Sequence, residues 1–120
     1  MPDWKNRNWF DKTGYSLVGL RDALKTEKAV KEETVALAAL TVIAFVRFGF
    51  SNFTRVIEIF FAGLAPIILE LINTAFEIIT DLACGTEYNE KIRMAKDMLS
   101  GAMLLTFILC YSICLMLLLK

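Results

Sequence analysis

Leu69-Glu70-Leu71-Ile72-Asn73-Thr74-Ala75-Phe76-Glu77-Ile78-Ile79-Thr80-Asp81 is apolar enough to cross a membrane, yet it carries four strongly polar residues. Glu70, Asn73, Glu77 and Asp81 follow one another at spacings of three, four and four. At about 100° per residue they fall on one narrow stripe of a helix, with Glu70 and Glu77 about 10 Å apart along its axis. A carboxylate in hydrocarbon is costly; it faces a bundle interior or marks a functional site. The rest of the sequence is read by asking what could use this stripe.

Composition narrows the answer. The 120 residues are one domain, 57% hydrophobic with a mean hydropathy of +0.55, high for a soluble protein. Thirteen basic residues balance thirteen acidic ones, so no global field favours nucleic acid, and no nucleic-acid partner is expected. Histidine is absent, which excludes His-based triads and His metal sites. Cys84, Cys110 and Cys114 show neither CxxC nor zinc-ligand spacing. Cys110 and Cys114, four apart in an apolar run, read as packing residues. The opening Met-Pro-Asp-Trp-Lys does not resemble a cleavable signal.

Outward from the stripe, the chain divides into four helical segments. Residues 1–28 are basic and aromatic, with Trp4, Trp9, Phe10 and Tyr15 as candidate interface anchors and Leu17, Leu20 and Leu24 on one seam. This pattern predicts an amphipathic surface helix. A first span is expected over about 29–48, where Thr34 to Val46 is uncharged. The second covers about 56–80 and should kink at Pro66. Residues 82–97 read as a polar connection with Gly85 as breaker. Met98 to Leu119 is 22 residues without a charge, a third span over 98–119. Residues 1–33 and the 82–97 connection together hold ten Lys/Arg, against three in the 47–55 turn and the tail. Positive charge therefore puts the N-terminus in the cytoplasm and the acidic stripe at the cytoplasmic half of the second span. The expected architecture is an all-α membrane protein, a single domain over 1–120.

At that face Glu70, Asn73, Glu77, Asp81, Glu87, Glu90, Lys96, Asp97 and Glu27, Glu32 and Glu33 can meet. Carboxylates with an amide and a lysine are hard-oxygen ligands plus a phosphate partner, which suits Mg²⁺ with a substrate phosphate. A carboxylate in low dielectric gains basicity and can accept a proton from a hydroxyl. These are the parts for phosphoryl transfer to a lipid alcohol. No GxxxxGK[ST], GxGxxG, HRD or DFG signature is present. From spacing alone three readings stay open: a lipid-modifying enzyme, a small proton- or cation-coupled transporter with Glu70 titrating, and a structural membrane protein with an acidic seam. Convergence of Glu27 and Lys96-Asp97 on one helix end would serve the enzyme and not the transporter.

The stretch from Glu70 to Asp81 resembles the motif E-x-x-N-[ST]-A-[IF]-E-x-x-x-D of the bacterial integral-membrane diacylglycerol kinases. Glu87-Tyr88, then Ala95-Lys96-Asp97-Met98 with Ser100, is similar to that family's second cytoplasmic signature. Gly14-Tyr15-Ser16 with Gly19-Leu20-Arg21 resembles its surface helix. Glu27 and Glu33 match its acidic positions, and Thr54-Arg55 the start of its second span. The resemblance covers about 14–110. It implies a homotrimer with active sites shared between subunits at the cytoplasmic face of the bacterial inner membrane, transferring phosphate from ATP to diacylglycerol. It implies Glu70 as general base and Glu27 and Glu77 as Mg²⁺ ligands. Tyr15, Glu27, Asn73, Glu77, Glu87, Tyr88, Lys96 and Asp97 would contact MgATP. Ser16, Arg21, Glu33, Arg55, Glu70 and Ser100 would line the lipid side. An undecaprenol-specific branch of the family is the alternative, against which the Tyr15-Ser16 to Arg21 stretch speaks. The sequence departs from the family pattern at Leu99, around Cys84-Gly85, and at Arg7-Asn8.

Overall fold

A computed structural model describes residues 8–120; Trp4 and Arg7, singled out above, lie outside them. Four helices follow in order: α1 (Trp9–Thr26), α2 (Lys28–Phe48), α3 (Phe53–Cys84) and α4 (Glu90–Leu119). A 3₁₀ turn, Phe50–Asn52, joins α2 to α3.

The punctuation between helices is local chemistry. Asn8 caps α1, its side chain accepting the Asp11 N–H at 2.8 Å. A single extended residue, Glu27 (φ −102°, ψ 115°), separates α1 from α2. Gly49 and Gly85 end α2 and α3 at φ of 62° and 60°, the left-handed region where glycine avoids a Cβ penalty. Asn89 then caps α4, accepting from the N–H groups of Lys91 and Ile92 at 3.0 and 3.2 Å.

Two boundaries differ from expectation. The helix through Pro66 runs from Phe53 to Cys84, longer at both ends than 56–80, and is not divided at the proline. Pro66 is fully buried, so its ring contributes packing where its missing donor costs a hydrogen bond. The charged stretch Glu90 to Asp97, expected as connection, forms the first turns of α4. The Asn89 cap and an i,i+3/i,i+4 ladder of Glu90, Arg93 and Asp97 support the helix through these polar residues, with Ile92 and Ala95 half-buried on its other side.

α3 is the central helix, with α2 and α4 packed on it. Ala44, Val56, Ile59 and Cys114 form the buried cluster, flanked by Leu40, Phe48, Ala62, Leu117 and Leu118. Arg55 donates from Nη1 to the Leu117 carbonyl at 3.3 Å, and its guanidinium lies 5.5 Å from the Phe48 ring centre. These contacts join the start of α3 to the ends of α2 and α4. Lys96 and Asp81 join the other end of α3 to the start of α4. Both neighbours therefore run antiparallel to α3, and the start of α2, the end of α3 and the start of α4 share one end of the molecule.

The α2–α3 approach is set at Gly63, where an added Cβ would stand 2.8 Å from Leu37 Cδ1. Two helical runs, Phe50–Cys84 and Glu90–Leu119, are long and apolar enough to cross a membrane, yet only 22% and 17% of their most apolar windows are buried within the chain. α1 buries no residue. A protein in water rarely leaves so much contiguous apolar surface bare. α2 carries Lys28, Lys31, Glu32 and Glu33 at its start and Arg47 at its end, leaving 13 uncharged residues between.

The Gly63–Leu37 contact makes a prediction. Gly63→Leu overpacks this crossing and lowers stability by roughly 1–3 kcal/mol. Adding Leu37→Ala recovers a good part of the loss. Thermal unfolding in detergent micelles of both single variants and the double checks this.

Candidate functional site

At the shared end of the bundle, the helix face that is core at Val56 and Gly63 becomes acidic at Glu70 and Glu77, one heptad apart each time. Exposure rises along it: Glu70 and Asn73 are half-buried, Glu77 and Asp81 exposed. Asn73 Nδ2 donates to Glu77 Oε1 at 3.4 Å. The Glu70 carboxylate feels the charges of Glu77 and Glu27 and the amide of Asn73.

α2 supplies the facing acids. Val30 and Leu37 are buried on its side toward α3; Glu33 lies at i+3 from Val30, and Glu27, the extended residue just before the helix, at i−3. Glu33 feels Glu70, and its Oε2 is buried with no hydrogen-bond partner among the described residues. Glu32 lies off this stripe and is exposed, with Lys28 Nζ 3.7 Å from its Oε1. The three neighbouring glutamates that sequence alone left equivalent are thereby distinguished. Spacing from Val30 and Leu37 was the signal that separates them.

Two recesses border the acidic stripe. A groove of about 510 Å³ runs between α1 and α3, mostly apolar, with Ser16, Leu20, Ala23 and Glu27 on one wall and Leu71, Thr74 and Ile78 on the other. Leu71, Thr74 and Ile78 each follow a stripe residue by one position, so the groove runs alongside the acids. A second, polar cavity of about 360 Å³ lies where α3 meets α4, lined by Asp81, Cys84, Glu87, Tyr88, Arg93, Lys96 and Asp97. There Lys96 Nζ is 3.0 Å from Asp81 Oδ1. Arg93 donates from Nη1 to Asp97 Oδ2 at 2.6 Å and also bonds Glu90, which in turn accepts from the Tyr88 hydroxyl. Arg93 and Cys84 were not selected from the sequence; the Glu90-Arg93-Asp97 spacing was the legible sign of the first.

The chain thus gathers Glu27, Glu33, Glu70, Asn73, Glu77, Glu87, Tyr88, Lys96 and Asp97 at one end, with Ser16 in the groove. Tyr15 and Arg21 are on exposed positions of α1, with Arg21 Nε 4.0 Å from Asp22 Oδ1. Ser100 is exposed on α4, one turn beyond Asp97. Arg55 stands at the opposite end, about 22 Å from Glu70 along α3 by helical rise.

Glu27, Glu33, Glu70 and Glu77 enter no ion pair among the described residues. No three metal-binding side chains among the described residues stand close enough to cage an ion. Uncompensated carboxylates in ones and twos fit Mg²⁺, which completes its shell with water and substrate phosphate.

Comparison with known proteins gives a consistent picture. The family model described as prokaryotic diacylglycerol kinase matches residues 14–118. The chain is 40% identical over 95 residues to the diacylglycerol kinase of Escherichia coli K12, an overlap of 79% of this chain and 75% of that one. The diacylglycerol kinase of Shigella flexneri matches to the same extent. That of Synechocystis is 51% identical over 41 residues, 34% of this chain and 23% of its own.

Cys84 reports on the polar cavity, since Cys110 and Cys114 are buried and Cys84 is partly open. A water-soluble maleimide should label Cys84 and spare the other two. Mass spectrometry of the labelled protein reads the outcome.

Proposed function

The chain belongs to the prokaryotic diacylglycerol kinase family, and on that basis we propose that it moves the γ-phosphoryl group of ATP onto the free hydroxyl of diacylglycerol, giving phosphatidic acid and ADP. One observation carries the reading: Glu70 and Glu77, in no ion pair among the described residues, run beside an apolar groove toward a polar cavity holding Lys96. A lipid alcohol and a nucleotide phosphate need such a junction, with a base between them.

The lipid lies in the α1–α3 groove with its hydroxyl toward Glu70. Glu33, close enough to Glu70 to feel its charge, stands beside the reacting hydroxyl. Glu70 takes the hydroxyl proton as the lipid oxygen attacks the γ-phosphorus in line and the bond to the β-phosphate oxygen breaks. Asn73, donating to Glu77 and standing beside Glu70, keeps these two carboxylates in fixed relation. Lys96 offsets charge developing on the transferred group. Tyr15, Glu87, Tyr88 and Asp97 contact the nucleotide. Glu27 and Glu77 would hold Mg²⁺, which when bound would supply positive charge against the nucleotide phosphates. Ser16, Arg21 and Ser100 border the lipid. Arg55 belongs with the lipid on the far side of the membrane rather than with the reacting groups.

The same reading extends to the setting. α2, α3 and α4 cross the bacterial inner membrane, α1 lies on its cytoplasmic surface, and the N-terminus is cytoplasmic because positive charge collects there. Three copies associate, which accounts for the bare apolar faces of α3 and α4.

Turnover in mixed micelles of diacylglycerol and detergent tests the assignment of roles. Glu70→Gln should lose about 10²- to 10⁴-fold in kcat, the size of a general-base contribution. It should still let MgATP or a non-hydrolysable analogue slow the labelling of Cys84. Retained turnover would remove Glu70 from the chemistry. Glu77→Gln should instead shift the Mg²⁺ titration to higher concentration, by about tenfold or more; an unchanged titration would exclude it as a ligand.

A further inference from the structure

The polar cavity contains two cations, and the protein treats them differently. Arg93 is held between Glu90 and Asp97, both on its own helix. Lys96 is held across helices, by Asp81 of α3. Asp81 lies four residues beyond Glu77 on the same stripe, one helical turn away. Both side chains are partly open, Lys96 40% and Asp81 67% exposed, and pairs of that kind add little to stability. A stabilising role alone therefore leaves the pair without much purpose.

Its position supplies one. Lys96 also feels the charge of Glu77. Without Asp81, Glu77 is the next carboxylate along the stripe that a flexible lysine can reach. A lysine seated on Glu77 would occupy a metal ligand and withdraw itself from phosphate at the same time.

We propose that Asp81 is a positioning residue that anchors Lys96 at the α3–α4 junction and keeps it off Glu77, so that Glu77 stays open for the divalent cation and Lys96 for the nucleotide phosphate. This rests on the roles given to Glu77 and Lys96 above. The carboxylate acts by charge and reach. Asparagine, equal in size but neutral, cannot replace it, whereas glutamate can.

The test is Mn²⁺ binding to the detergent-solubilised protein without nucleotide, followed by the electron paramagnetic resonance signal of free Mn²⁺, together with the Mg²⁺ dependence of turnover. Asp81→Asn should weaken Mn²⁺ binding and raise the half-saturating Mg²⁺ by about tenfold, as loss of an outer partner of a metal site does. Asp81→Glu should stay close to the parent protein. In the double variant Asp81→Asn/Lys96→Met, Mn²⁺ affinity should return, because no lysine is left to occupy Glu77, while turnover stays low. Unchanged Mn²⁺ affinity in Asp81→Asn overturns the proposal, and so does weakening of the same size whether or not Lys96 is present. If Glu77→Gln leaves Mn²⁺ affinity intact, the metal role of Glu77 has failed instead, and the proposal goes with it.

Discussion

The close crossing of α2 over α3 at Gly63 is the constraint on which the rest of the structure depends. With no side chain at Gly63, Leu37 packs against the α3 backbone. One turn from Leu37 stands Glu33; two turns from Gly63 stands Glu70. Acids from two helices are thereby brought face to face in surroundings that exclude most water. Like charges so placed repel, and a fold maximising its own stability would not choose them. The repulsion is tolerable only if something positive arrives or a proton is taken up, and both belong to phosphoryl transfer.

The antiparallel arrangement does the remaining work. α2 and α4 both run against α3, so residues far apart in sequence, Glu27 and Lys96, end up at one end. The helix breaks that permit this are small: one extended residue at Glu27, a left-handed glycine at Gly49 and another at Gly85. The break at Glu27 sets the angle of α1, and α1 supplies one wall of the apolar groove. The direction of α1 and the apolar recess beside α3 are thus consequences of the same turn. The groove and the polar cavity differ in lining because α3 changes character along its length, from apolar neighbours at Leu71 to charged ones at Asp81.

Much of this was legible in the sequence, and the limits of that legibility are physical. The period of Glu70, Asn73, Glu77 and Asp81 marks the polar face of α3, because a helix forces residues at that spacing onto one side. The left-handed Gly85 was readable as a breaker. Glu27 and Glu33 could not be told from Glu32, since three nearby glutamates look alike until the packed face of α2 is fixed by Val30 and Leu37. Glu90 to Asp97 reads as connection on polarity alone, whereas a cap and a ladder of ion pairs sustain a helix there. Arg55 illustrates the converse. A residue matched by motif can lie at the far end of the same helix, because motif order along the chain does not say how far the helix carries it. The pairing of Asp81 with Lys96 crosses between helices and had no local sign.

The central claim is that this end of the bundle puts phosphate on a glycerolipid hydroxyl. The most direct measurement supplies the purified protein with γ-labelled MgATP and, in separate mixed micelles, dioleoylglycerol or undecaprenol, and follows label into the lipid phase. The account predicts phosphatidic acid from the first and far less product from the second. Label in neither lipid, or only in undecaprenyl phosphate, would contradict it.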